Sequence, residues 1–103
     1  RKAFTMNKKI KLGYNGWANY ATWLVAVWDY IPAITEQYFD QGDKPDDVDE
    51  RGVEEIFMSY VEGDIPRDGI MADFMSNAMS QIDWREIRDH VKDDLEERIM
   101  DNF

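Results

Sequence analysis

Gly16-Trp17-Ala18-Asn19-Tyr20-Ala21-Thr22-Trp23-Leu24-Val25-Ala26-Val27-Trp28 holds three of the four tryptophans of a 103-residue chain, and its reading decides the fold. Asn19 is a good helix N-cap, because its side-chain oxygen can accept from backbone N–H groups that have no partner inside the helix. A helix from Tyr20 follows. Along it Tyr20, Trp23, Leu24, Val27, Trp28 and Ile31 recur at spacings of three and four, which predicts a wide apolar stripe on one face. A stripe of that width must be buried for so short a helix to be stable, so the rest of the chain has to supply packing partners.

Outward from this stretch the pattern stays helical. Pro32 lacks an N–H and disfavours helical backbone at the residue before it, so the first helix is expected to end or kink near Ile31 and a second to begin at the proline. Ile34, Tyr38 and Phe39 give the second helix an apolar side, and Gly42 is its stop. Gly42 to Glu50 reads as a polar loop whose last acids favour a helix start. In a third helix Val53, Ile56, Phe57, Tyr60 and Val61 keep the three-four spacing, Glu54 and Glu55 face outward, and Gly63 ends the element. Ile70, Met71, Phe74, Met75, Ala78, Met79 and Ile82 form two adjoining rows in a fourth helix, apolar over so much of its circumference that it is expected to be central. Asp83 caps a long fifth helix with Glu86 three residues on, in a capping-box-like start, and Trp84, Ile87, Val91, Leu95 and Ile99 make its inward seam. No segment alternates with period two and no internal repeat is present. The expected fold is all-α, a compact bundle of about five helices with short connections.

Before the tryptophan stretch, residues 1–12 read as a flexible basic arm, and residues 13–103 as a single helical domain. Met6-Asn7-Lys8-Lys9 has the form of a natural start, which would make Arg1 to Thr5 an appended leader; an intact mass of the natively expressed protein checks this. The chain has 44% hydrophobic and 14% aromatic residues and no cysteine, enough for one core that must hold by packing alone. With no apolar run of bilayer length and no signal-peptide pattern, the expected location is cytoplasmic, without membrane attachment.

The formal net charge is −10. Arg1, Lys2, Lys8, Lys9 and Lys11 precede the first acid, Asp29, which leaves seven cations against 22 acids in the remainder. Such a surface repels nucleic acid and anionic membrane and attracts basic partners over about 8 Å at physiological salt. The plain alternative is that acidity serves solubility.

Catalytic chemistry finds little support. Cysteine nucleophiles are excluded by composition, and no Gly-x-Ser-x-Gly turn presents Ser59, Ser76 or Ser80 to the single histidine, His90. His90 falls at the edge of the fifth helix's seam and reads as a boundary residue bonded to a neighbour, since a zinc site wants three or four ligands. From Asp47 a calcium loop fails on spacing, with Arg51 at its fifth position and Met58 at its twelfth, where a bidentate glutamate is required. No phosphate-binding glycine loop exists. The chain is therefore expected to be non-enzymatic, with no cofactor and no metal.

What remains is binding. Glu86, Asp89, Asp93, Glu97 and Asp101 lie along one flank of the fifth helix, about 5–6 Å apart at Cβ, a spacing that approximates successive phosphates of a nucleic-acid strand. With Asp43, Asp46, Asp47, Asp49, Glu54 and Glu55 they form a candidate partner-binding acidic face. Arg85, Arg88, Lys92 and Arg98 share that helix, so ordinary surface ion pairing is the competing reading. Trp17, Trp23, Trp28 and Trp84 are expected in the core, because base-stacking platforms work beside cationic grooves. Tyr14 and Trp17 precede the first helix and are the alternative partner-binding residues, and Met58, Met71, Met75 and Met79 are core filler or, where uncovered, an adaptable binding surface.

Tyr14-Asn15-Gly16-Trp17-Ala18-Asn19-Tyr20-Ala21-Thr22-Trp23 resembles a family of small phage and mobile-element proteins marked by Gly-Trp-x-Asn-Tyr-x-Thr-Trp. Met71-Ala72-Asp73-Phe74 and the run from Ala78 to Ile87 look like the same family's closing segment. Ala21 departs from the glutamate often found at its position, removing one acid from the helix start. The resemblance supplies no catalytic residues and implies a setting, an accessory gene of a virus or plasmid. Together with the charge it leads to the expectation of an anti-defence inhibitor, of anti-CRISPR or anti-restriction type, whose acidic face occupies the basic nucleic-acid-binding surface of a host defence protein by mimicry. The alternative expectation is a non-enzymatic helical adaptor or regulator that binds a protein through exposed aromatic and methionine residues.

Overall fold

A computed structural model of the protein describes residues 16–102. The described residues form five α-helices and no sheet: α1 (Tyr20–Val27), α2 (Tyr30–Asp40), α3 (Glu50–Val61), α4 (Ile70–Met79) and α5 (Trp84–Asp101), with short 3-10 turns at Pro45–Asp47 and Glu62–Asp64. The basic arm over 1–12 lies outside the described residues, as does Tyr14.

The first helix starts as its sequence requires. Asn19 is in extended backbone and its side chain accepts from the Thr22 N–H at 2.9 Å. The helix ends earlier than the proline suggested, at Val27, because Asp29 takes left-handed backbone (φ 65°) and reverses the chain. Aspartate is among the few side chains that tolerate this conformation. Pro32 then occupies the third position of α2, where a missing N–H costs nothing because the first four have no intrahelical acceptor. At the other end Gly42 (φ 81°) closes α2 with paired bonds, Gly42 N–H to Phe39 O at 3.0 Å and Asp43 N–H to Tyr38 O at 3.1 Å. These are the two bonds of a Schellman cap.

The core corrects the expected centre of the bundle. Ile34, Val53, Ile87, Val91 and Leu95 are fully buried, and three of these five belong to α5. α5 packs on α1, α2, α3 and the Pro45–Asp47 turn, with Trp84 and Ile99 half-buried at the two ends of its seam. Each fully buried aliphatic side chain is worth about 1.5–3 kcal/mol relative to an exposed one, so α5 carries the largest share of the apolar drive. α4, expected to be central, has no buried residue and makes only sparse approaches to other elements. Its apolar residues extend about 180° around the helix, from Ile70 and Phe74 to Met75 and Met79, which is more than one neighbour can cover. Ile70 (67%), Met71 (55%) and Phe74 (59%) are left exposed.

The α1 stripe is also redirected. Thr22, Trp23, Val25 and Val27 are buried, whereas Tyr20 (53%) and Trp28 (59%) are exposed. α1 carries no charged residue, so the spacing of apolar side chains does not specify which face turns inward. Thr22 decides it. Its buried hydroxyl donates to Asn19 Oδ1 at 2.8 Å and accepts the Asp83 N–H at 2.8 Å, which fixes α1 against the start of α5.

Candidate functional site

The start of α5 is tied to the tryptophan stretch by a small polar network. Asp83 caps α5, accepting from Glu86 N–H at 3.1 Å. Glu86 in turn reaches back across the chain, and its Oε1 accepts the Ala18 N–H at 2.9 Å, while Asn19 Nδ2 donates to Gln81 O at 2.8 Å. Trp17 lies half-buried with its ring 4.3 Å from that of His90, centroid to centroid. The two segments that carry the sequence resemblance are thus bonded to each other. Within that network Asn19, Thr22 and Asp83 do structural work. Trp17, expected in the core and also kept as an alternative partner-binding residue, is a partly covered packing residue at the edge of the core.

The acidic residues separate into three groups by what they do. Glu86 belongs to the network just described and is removed from the outward flank. Asp47 and Asp49 are caps: Asp47 Oδ2 accepts the Lys44 N–H at 2.8 Å, and Asp49 Oδ1 accepts the Gly52 N–H at 2.8 Å. The phenol of Tyr38 has its pKa raised from its ordinary value, first by burial and then by the charges of Asp49, Asp43 and Glu55. Glu55 also pairs with exposed Arg51 at 3.2 Å, one turn away on α3. Asp46 and Glu54 are exposed.

The third group is on α5. Asp89, Asp93, Glu97 and Asp101 follow at intervals of four and are all exposed, rising about 6 Å per step along the axis. Arg88 interrupts this row near its start, bonding Asp89 at 2.8 Å and Glu50 of α3 at 3.4 Å. Beyond it the charge is concentrated. Asp93, Asp94, Glu96 and Glu97 lie within about 6 Å of axial rise, and at about 100° per residue they fan over about 160° of the helix, with Leu95 buried opposite. They border a shallow recess of about 610 Å³ against Ile31 and Pro32 of α2. The nearby Arg98 is turned to the Pro32 carbonyl at 3.2 Å. Among the described residues no cation pairs with any of the four carboxylates. Asp94 and Glu96 were missed in the sequence because they fall off the four-residue spacing. The acid-acid-Leu-acid-acid run around a core leucine was the signal that marks them.

A second surface involves three of the methionines that the sequence offered as core filler or as an adaptable binding surface, Met71, Met75 and Met79. Between α1, the end of α3 and α4 lies an apolar groove with a cavity of about 310 Å³, walled by Leu24 of α1 and Trp28 just after it, Val61 and Ile65 beyond Phe57, and Met75 and Met79 of α4. Asp64 is the one charged residue among those that line it. The exposed side of α4, with Ile70, Met71 and Phe74, continues this apolar surface outward.

Among the described residues no three His, Asp or Glu side chains converge as metal ligands do, and no helix is long and apolar enough to cross a membrane. Compared with family models, curated proteins and solved structures, the chain matches none.

Proposed function

We propose that the protein is a non-enzymatic inhibitor of a nucleic-acid-binding protein, of the kind a phage or mobile element directs against host defence, and that the fan of carboxylates on α5 occupies the partner's basic nucleic-acid-binding surface. The observation that carries this reading is the density of unpaired charge at Asp93, Asp94, Glu96 and Glu97. Duplex nucleic acid presents about one charge per 1.7 Å of axis, and four carboxylates in about 6 Å of helix rise come close to that value. Carboxylates this close on one helix repel, at a cost of a few tenths of a kcal/mol per pair, and a basic partner relieves that cost.

The test is affinity capture from a bacterial lysate with the wild-type chain and with a variant carrying Asp93→Lys, Asp94→Lys, Glu96→Lys and Glu97→Lys. Glu86 stays unchanged, since its bond to Ala18 makes it part of the fold. Nucleic-acid-binding proteins held by the wild type, released by duplex DNA and absent from the variant support mimicry. The same proteins on both baits contradict it.

A second reading is favoured by the exposure of Met71 and Phe74: a helical regulator that engages a protein through apolar contacts, with acidity serving solubility. Such a complex resists salt, whereas a mimic's complex weakens as charges are screened.

A further inference from the structure

The apolar groove and the uncovered side of α4 form one continuous surface. Met75, Ala78 and Met79 face the cavity, and Ile70, Met71 and Phe74 extend from it around the same helix. The row from Met71 to Met79 runs about 12 Å, a little over two helical turns. Three methionines along it give a wall that can adapt to different side chains, as unbranched thioethers do. Both the shape and the lining suit an amphipathic helix that inserts apolar anchors at intervals of three and four.

The charge around the groove selects the kind of helix. Glu62, Asp64, Asp68 and Asp73 are all exposed on the stretch that leads into and along α4, with Arg67 the one cation among them. A second copy of this chain would bring those acids against their own equivalents and would add one chain at −10 to another. A helix with basic flanks meets the same acids with opposite charge, which favours encounter and fixes orientation.

We infer that the groove between α1 and α4 is a docking site for a basic amphipathic helix of a partner protein, whose contact stretch is a little over two turns long and whose apolar residues fill the cavity lined by Met75 and Met79. The inference rests on the second of the two readings above, and it concerns a surface distinct from the carboxylate fan of α5.

The probe is a synthetic 18-residue helix of leucine and lysine with the leucines on one face. Two controls accompany it, a peptide of the same composition with the leucines scattered, and a leucine-glutamate peptide with the amphipathic pattern. Each is titrated into the isotopically labelled full chain while the Met75, Met79 and Ala78 methyl signals are followed. The expected result is that the amphipathic basic peptide shifts those signals, the two controls do so at much higher concentration or not at all, and Ala78→Arg weakens binding by about tenfold or more. Ala78 is exposed, so this variant retains the core. The four-lysine α5 variant is the companion: binding that survives there but fails in Ala78→Arg belongs to the groove. Shifts confined to residues 89–101, equal binding of the scattered peptide, or unchanged affinity in Ala78→Arg would overturn the inference. Groove shifts that grow with protein concentration in the absence of peptide would overturn it in favour of self-association.

Discussion

Thr22 holds its hydroxyl between two helix starts, donating to Asn19 Oδ1 and accepting from Asp83 N–H, with no solvent exposure. Thr22→Val keeps the shape and strands the Asp83 N–H, so urea unfolding should show a loss of about 1–3 kcal/mol, with Thr22→Ser recovering part of it. Gly52 is a second position with a single tolerated size, because a Cβ there would fall against the Tyr38 hydroxyl and 3.0 Å from Asp49 Oδ1. Gly52→Ala should cost about 1–3 kcal/mol in the wild type and less in a Tyr38→Phe background, where the next ring atom stands at 3.6 Å. Tyr38 also gives the protein an alkaline limit. Its folded-state pKa is raised above 10.0 by burial and by Asp49, Asp43 and Glu55, so its neutral form is the one the fold favours. That contribution is complete below pH 10.0 and is lost as pH rises through the folded-state value; unfolding midpoints followed upward from pH 9 should fall less steeply for Tyr38→Phe than for the wild type. The Asn19 and Asp83 caps were legible in the sequence, because each has its partner three positions away, as was the inward side of Tyr38. Thr22 and Glu86 act on residues 61 and 68 positions distant, which no local pattern reveals.

At the scale of elements, the exchange of roles between α4 and α5 is the main structural result. Periodicity identified both helices and most of the α5 seam, since Ile87, Val91 and Leu95 are all fully buried. It placed α4 at the centre because apolar arc width measures what a helix is able to bury, and says nothing about what neighbours exist to cover it. α5 is long and strongly charged outside its seam, which disguises it as a surface helix in composition. Unfolding measurements separate the two. Leu95→Ala should cost about 2–5 kcal/mol, a large part of the stability of a domain this size. Phe74→Ala should change stability by no more than about 0.5 kcal/mol, the range of ordinary surface substitutions. Equal losses at the two positions would return α4 to the core. The helix boundary at Asp29 was displaced for a related reason: left-handed backbone at a single aspartate ended α1 before the proline had any part in it.

Over the whole molecule, the densest run of carboxylates and the apolar groove lie on different elements. The carboxylate fan sits on α5 at Asp93 to Glu97, and the apolar groove lies between α1 and α4, so the two can be altered independently. Of the acids singled out in the sequence, Asp89, Asp93, Glu97 and Asp101 keep a common exposed row; Glu86, Asp47 and Asp49 are occupied in holding the backbone. Net charge was readable from composition, but which carboxylates remain available for a partner depends on backbone groups that only the folded chain brings to them. The most direct measurement compares two baits in one bacterial lysate, the wild-type chain and the four-lysine variant at residues 93, 94, 96 and 97, with bound proteins identified at low salt and again after adding duplex DNA. Occupation of a basic nucleic-acid-binding surface predicts nucleic-acid-binding proteins on the wild type alone, displaced by DNA. An identical set on both baits, unmoved by DNA, would contradict it.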